Sequence, residues 1–279
     1  STVLNQTGLN LYSSRQPILI IVFLNLRNAN VPVLQNADFR KALMAGINRQ
    51  EMIDEVLNGQ GVFAQGPIMP GNWAFYPEQS EYRYDPDGAR QILAAMGLSQ
   101  VEDGRFLSDG APIELELLTP DDPEHIAMAE ILRQNWQKVG VGVTVLPLAH
   151  DQVIARLENR DYQMALVDVD LSETPDPDPY QFWAESQIDG GQNYAQWSNA
   201  TASSYLEQAR QVPGVEVRRR LYRNFQVLFE EDLPSLPLFY PVYNYAVKDS
   251  IKDLMFGPVY NPADRFNNVR EWYILTGVE

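Results

Sequence analysis

Cysteine is absent from this chain of 279 residues. That excludes disulfides, thiolate nucleophiles and cysteine-bound metals, and it is compatible with an oxidising compartment without requiring one. Histidine is nearly absent too: His125 and His150 stand alone, in no spacing that pairs metal ligands, so a zinc site is not expected. Long apolar runs are missing. The most apolar short stretch, "ILIIVFL" at 18–24, has the length of a buried strand, not of a membrane span. Positive charge is scarce, with 21 basic residues against 37 acidic ones and a net charge of −16. Such a balance leaves no basic face for a phosphate backbone, so no nucleic-acid partner is expected. No glycine-rich phosphate loop and no G-x-S-x-G elbow occurs. The chain opens at Ser1 without an initiator methionine or signal peptide, and reads as processed or excised from something longer.

What is present has a clear order. In "NADFRKALMAGINRQEMIDEVLNGQG", Phe39, Leu43, Met44 and Ile47 share one helical face. Asn48 with Glu51 reads as a capping box that starts a second helix, and Gly59 stops it. The segment 66–82 has prolines and aromatics without a period, and is expected to be a long loop held by its aromatics. In "YDPDGARQILAAMG", Asp85 is the N-cap, Pro86 opens the first turn and Gly97 closes the helix. Strand and helix patterns then alternate: strands near 111–119, 141–148 and 162–170, with helices at 123–139 and near 151–161. These spacings predict an α/β fold with parallel pairing and right-handed crossovers. Helices near 203–210 and over 215–231 follow, then two extended pieces divided near Pro241.

In open α/β sheets ligands bind beyond the carboxyl ends of the strands. The loops leaving those ends are "PDDPEH", "PLAHDQ" and "DVDLSETPDPDPYQFW". The last alternates proline with aspartate before an aromatic cluster, a spacing that neither a helix nor a central strand tolerates. Calcium binding by Asp176 and Asp178 lacks the D-x-D-x-D-G pattern, and no metal or cofactor is expected. Trp183, Tyr194 and Trp197 cluster around the acidic loop and fit a pocket wall, although core packing is the alternative for each. A buried carboxylate there favours an ammonium group. A carboxylate pair for glycoside hydrolysis stays open, but acids in so acidic a chain mostly face solvent, and no catalytic residue is assigned.

Several of these segments together resemble the family 5 extracellular solute-binding proteins, the oligopeptide, dipeptide and nickel receptors of ABC importers. The helix pair supplies Arg40, Ala42, Leu43, Ile47, Asn48, Arg49, Ile53, Leu57 and Gly59. "GPIMPGNWAFY", "YDPDGARQILAAMGL", "YQMALVDVDLSETPDPDPYQFW" and "LPSLPLFYPVYNYAV" resemble further family segments in the same order. The resemblance implies a periplasmic-binding-protein-like lobe: a central, mainly parallel sheet flanked by helices, plus strands belonging to another lobe. Residues 28–235 would be the second lobe, with 1–27 leading in from a first lobe and 236–279 returning to it. The whole receptor would close on a small solute, most often a peptide, and deliver it to a permease from the periplasmic or extracellular side, anchored as a lipoprotein. The family's ligand aspartate corresponds to Glu173, while Thr174 and Asp170 replace an aromatic pair. The resemblance and the loop position nominate Glu173, Asp170, Asp176, Trp183, Tyr194 and Trp197 for the ligand. A ligand-sensing module of a regulator and a carboxylate-dependent hydrolase are the competing readings.

Overall fold

A computed structural model describes residues 7–79, 81–172, 176–257, 259 and 261–274. Two strands come first, β1 (Leu9–Arg15) and β2 (Ile18–Leu24). Helices α1 (Ala37–Ala45) and α2 (Arg49–Glu55) follow, then the short strand β3 (Gly61–Phe63) and helix α3 (Pro86–Ala95). A small sheet of β4 (Ser99–Gln100), β5 (Phe106–Ser108) and β6 (Ala111–Pro112) leads into the alternating unit. That unit comprises β7 (Glu114–Pro120), α4 (Pro123–Lys138), β8 (Gly142–Leu148), α5 (His150–Glu158) and β9 (Met164–Asp170). The chain continues through α6 (Tyr180–Trp183), α7 (Ala200–Gln211), α8 (Val215–Asp232) and β10 (Ser235–Lys248). The last strands, β11 (Ile251–Lys252) and β12 (Tyr273–Ile274), pair with each other.

The large sheet runs β1-β10-β2-β9-β7-β8, with β3 also on β10. The expected parallel unit is present, β7 lying between β9 and β8 and parallel to both. The sheet as a whole is mixed, not mainly parallel. β2 is inserted antiparallel between β9 and β10. The three strands joined through helices therefore share β10's direction, and β2, which enters from outside the alternating unit, opposes them. β2 and the first half of β10 are central strands, although both fall in the segments expected to lead to another lobe.

The sequence alternation of β2 divides the core in two. Ile20, Val22 and Leu24 face one hydrophobic cluster with α1 to α4, and Leu19, Ile21 and Phe23 face a second with α5 to α8. Both faces are covered, which is why the strand reads as an unbroken apolar run.

Caps follow the sequence closely. Asp85 accepts from Gly88 N, with Pro86 in the first turn. Asn48 accepts from Glu51 N at 3.2 Å, but the reciprocal half of the expected capping box is relayed. Asn135 on α4 accepts from Asn48 N at 2.6 Å and donates to the Glu51 carboxylate at 3.1 Å. A tertiary partner thus takes the bond that a local box would make.

β10 also departs from expectation. It is one strand of 14 residues, not two pieces. It changes partners at Pro241, which has no N–H to give to a ladder. Ser235–Phe239 pair with β2 and Val242–Lys248 with β1. The Pro241 carbonyl accepts from Gln16 N at 2.8 Å, and Val242 N donates to Gln60 O at 3.1 Å.

The proline-rich loop is held by its aromatics, as expected, and also by hydrogen bonds from α8. The Trp73 ring lies 5.9 Å from Tyr222, and Arg223 lies over the Tyr76 ring. Arg219 Nε donates to Trp73 O at 3.0 Å, and the fully buried Gln226 donates to Ala74 O at 2.9 Å and accepts from Tyr76 N at 3.2 Å.

Candidate functional site

A fork in the sheet makes the site. β7 and β9 pair only at Leu117↔Met164 and Leu118↔Ala165. Beyond that point β7 stays with β8 as far as Pro120↔Leu148, and β9 stays with β2 as far as Ile18↔Asp170. The two leaves separate at their carboxyl ends, and a cavity of about 450 Å³ lies there. That size falls within the range of small-molecule sites. Its floor is apolar, formed by Phe23, Val153, Leu157, Val167 and Phe182. Its rim carries Asp121 and Asp122 from the loop after β7, and Asp168 and Asp170 from the end of β9. Gln181 from α6, with Gln192 and Tyr194 from the loop after it, adds polar groups.

His125, in the first turn of α4, crosses the fork. Its Nδ1 lies 2.7 Å from Asp122 Oδ2 and its Nε2 3.1 Å from Asp168 Oδ1. The other Asp122 oxygen caps α4, accepting from the backbone N–H groups of Glu124 and His125. The imidazole is only 12% exposed, while both carboxylates are nearly half exposed. Burial lowers the His125 pKa, but hydrogen bonds and charge from Asp168 and then Asp122 outweigh it and leave the net shift upward. Burial likewise pushes Asp122 up, and the bonds from His125 and Glu124 turn the net shift downward.

Six residues were nominated from the sequence, and the fold separates them. Asp170 and Tyr194 line the cavity. Asp176 is turned to another task, an ion pair with Arg218 Nη2 at 2.6 Å. Trp183 is buried with its ring 4.7 Å from Phe229 and 5.8 Å from Phe23. Trp197 is buried as well, and its Nε1 donates to Asp232 Oδ2 at 2.9 Å. Both tryptophans are core residues of the second cluster, so core packing, the alternative for each, describes them. Glu173 lies outside the described residues.

The family profile described as bacterial extracellular solute-binding proteins, family 5 (middle), matches residues 1–191. The chain belongs to this family. The dipeptide-binding protein of Escherichia coli K12 is 24% identical over 237 residues, 83% of this chain but 42% of that protein. The chain therefore spans less than half the length of that curated relative. Among solved structures, the oligopeptide-binding protein AppA from Bacillus subtilis, in complex with a nonapeptide, superposes with a TM-score of 0.79 at 22% identity. That match covers 99% of this chain and 54% of AppA. NikZ from Campylobacter jejuni, in complex with Ni(L-His), superposes with a TM-score of 0.77 at 22% identity, covering 97% of this chain and 55% of NikZ.

The residues carrying the family resemblance are mostly structural. Arg40 is buried and donates to the carbonyls of Leu34, Asp232 and Leu233. Arg49 is buried under Phe63 and donates to Ala64 O at 2.6 Å and Tyr82 O at 2.7 Å. The sequence located the loops around this cavity but not the histidine that crosses it. In sequence, His125 and His150 have neither the spacing of metal ligands nor an obvious serine partner. The usable signal was positional: "PDDPEH" and "PLAHDQ" leave the carboxyl ends of parallel strands.

Proposed function

We propose that this chain is the second lobe of a two-lobed receptor that captures a small solute, a peptide in preference, and delivers it to an ABC importer. One observation carries the reading: the open fork between β7 and β9, with an apolar floor and carboxylates at its rim. A peptide offers an ammonium for the rim and an apolar side chain for the floor. The relatives point the same way, since the E. coli relative is named for dipeptides and the AppA structure holds a nonapeptide. They are named as binding proteins, which favours capture over catalysis. The receptor would work on the periplasmic or extracellular side, tethered as a lipoprotein. Asp170 and, beyond the described residues, Glu173 are the groups assigned to the solute's cation. Asp176 is instead tied to Arg218 of α8.

The test uses the longer polypeptide that this reading implies, with its first lobe present. Di- to pentapeptides, oligosaccharides, opines, polyamines and nickel chelates are screened by thermal shift. A solute that binds only the folded state raises the midpoint by mass action. A peptide is expected to do so, and Asp170→Asn to weaken it by about tenfold, or 1.4 kcal/mol. No shift with any class contradicts the receptor reading.

A further inference from the structure

The fork contains a group whose protonation state decides how many hydrogen bonds it can donate. Both ring nitrogens of His125 face carboxylates, Asp122 at 2.7 Å and Asp168 at 3.1 Å. A neutral imidazole has one N–H and one lone pair, and a carboxylate can only accept. Both contacts are therefore hydrogen bonds only when the ring is the imidazolium. After deprotonation one nitrogen presents a lone pair to a carboxylate, and that contact becomes repulsive. The two carboxylates belong to different leaves. Asp122 sits on the β7–α4 side and Asp168 on β9, beyond the last β7–β9 ladder pair, Leu118↔Ala165. No backbone pairing is registered between β7 and β9 there, so the ring spans the gap where the ladder stops.

We propose that His125 is a proton-operated brace that holds the fork, and with it the rim of the solute cavity, in the arrangement described. The inference rests on the solute-site reading only for the purpose of the brace, not for its existence. All three members line the cavity, so a change at the brace is a change at the rim.

The surroundings supply the balance of charge. From the loop before α4 come Asp121 and Asp122, from β9 Asp168 and Asp170, and from α5 His150. Burial and the positive end of α4 oppose the imidazolium, whereas the carboxylates favour it and prevail. The pKa of His125 is thus raised in the folded chain above its ordinary 6.5. The stability contributed by the brace is complete below that ordinary value and is lost as pH rises through the folded value. The brace therefore releases at a pH above the ordinary histidine value.

With two histidines in the chain, ring resonances can be assigned one by one, and no solute is needed. NMR titration of the 279-residue chain is expected to place His125 above the ordinary histidine value, and Asp168→Asn to move it down. The thermal midpoint of the wild type is expected to exceed that of His125→Gln at pH 6, with the difference shrinking steadily toward pH 9. A His125 titration at or below the ordinary value overturns the proposal. So does an equal pH dependence of the two midpoints. Should His125→Gln fail to fold, the wild-type titration and its downward move in Asp168→Asn decide the matter alone. The solute screen fails or succeeds separately. A missing solute counts against the receptor reading, whereas a flat His125 titration counts against the brace.

Discussion

Arg40 shows how a charged residue comes to be buried without a carboxylate at hydrogen-bonding distance among the described residues. Its guanidinium satisfies backbone carbonyls at the carboxyl end of α8, where Leu233 turns into the left-handed region at φ 43° and the last helical carbonyls lack helical partners. Burial lowers its pKa to about 10, with the nearby Asp232 charge opposing that shift. Replacement by methionine keeps the volume but orphans those carbonyls, so Arg40→Met is expected to cost about 3 kcal/mol in urea unfolding. A loss within experimental error of zero contradicts this role. Asp170, proposed for the solute's cation, and His125, proposed as the brace, belong to the same scale but line the cavity, and neither substitution should approach the cost of Arg40→Met.

The tryptophans illustrate what one residue's sequence context does not reveal. Trp183 and Trp197 follow the acidic loop just as Tyr194 does, and all three are aromatic. Tertiary packing on Phe225 and Phe229 of α8 accompanies the burial of the tryptophans. Tyr194 instead presents an edge to Phe23 at the cavity floor. The selection depends on phenylalanines 28 or more residues away in sequence, which no local pattern encodes.

Among the elements, helices were the most legible, because caps and periodicity are local. Asp85, Pro86 and Gly97 bound α3 as their chemistry requires. Gly140 ends α4 for two reasons at once. It adopts φ +87°, and an added Cβ would lie 2.4 Å from Gly104 O. Gly140→Ala is therefore expected to lower stability by more than about 1 kcal/mol, read as a lower urea midpoint at unchanged slope. An unchanged midpoint would show that the β4–β6 sheet yields freely. Strand existence was legible too, but strand partners were not. The alternating pattern 111–170 forced parallel pairing, yet nothing in β2 states that it inserts antiparallel beside β9. Pro241 marked a real discontinuity, and it is one of pairing, not of conformation.

For the molecule as a whole, family and class were readable because they rest on motifs in order along the chain. The site was readable only as an edge. The rule that ligands bind beyond the carboxyl ends of parallel strands located the loops. The fork that turns an edge into a cavity comes from β7 and β9 diverging after two registered pairs, a property of the assembled sheet. The brace across it joins residues 43 apart, and its meaning appears only when both carboxylates are in place.

The account stands or falls on that cavity holding the solute. Ile154 lines it from α5 and is half-buried, so Ile154→Trp should fill the space without disturbing the core. The measurement is calorimetric titration, with the peptide found by the screen, of the complete receptor and of its Ile154→Trp variant. At least a hundredfold loss of affinity, about 2.7 kcal/mol, with a thermal midpoint close to the wild type is the predicted result. Equal affinity in the two proteins would contradict the claim that the fork between β7 and β9 is where the solute binds.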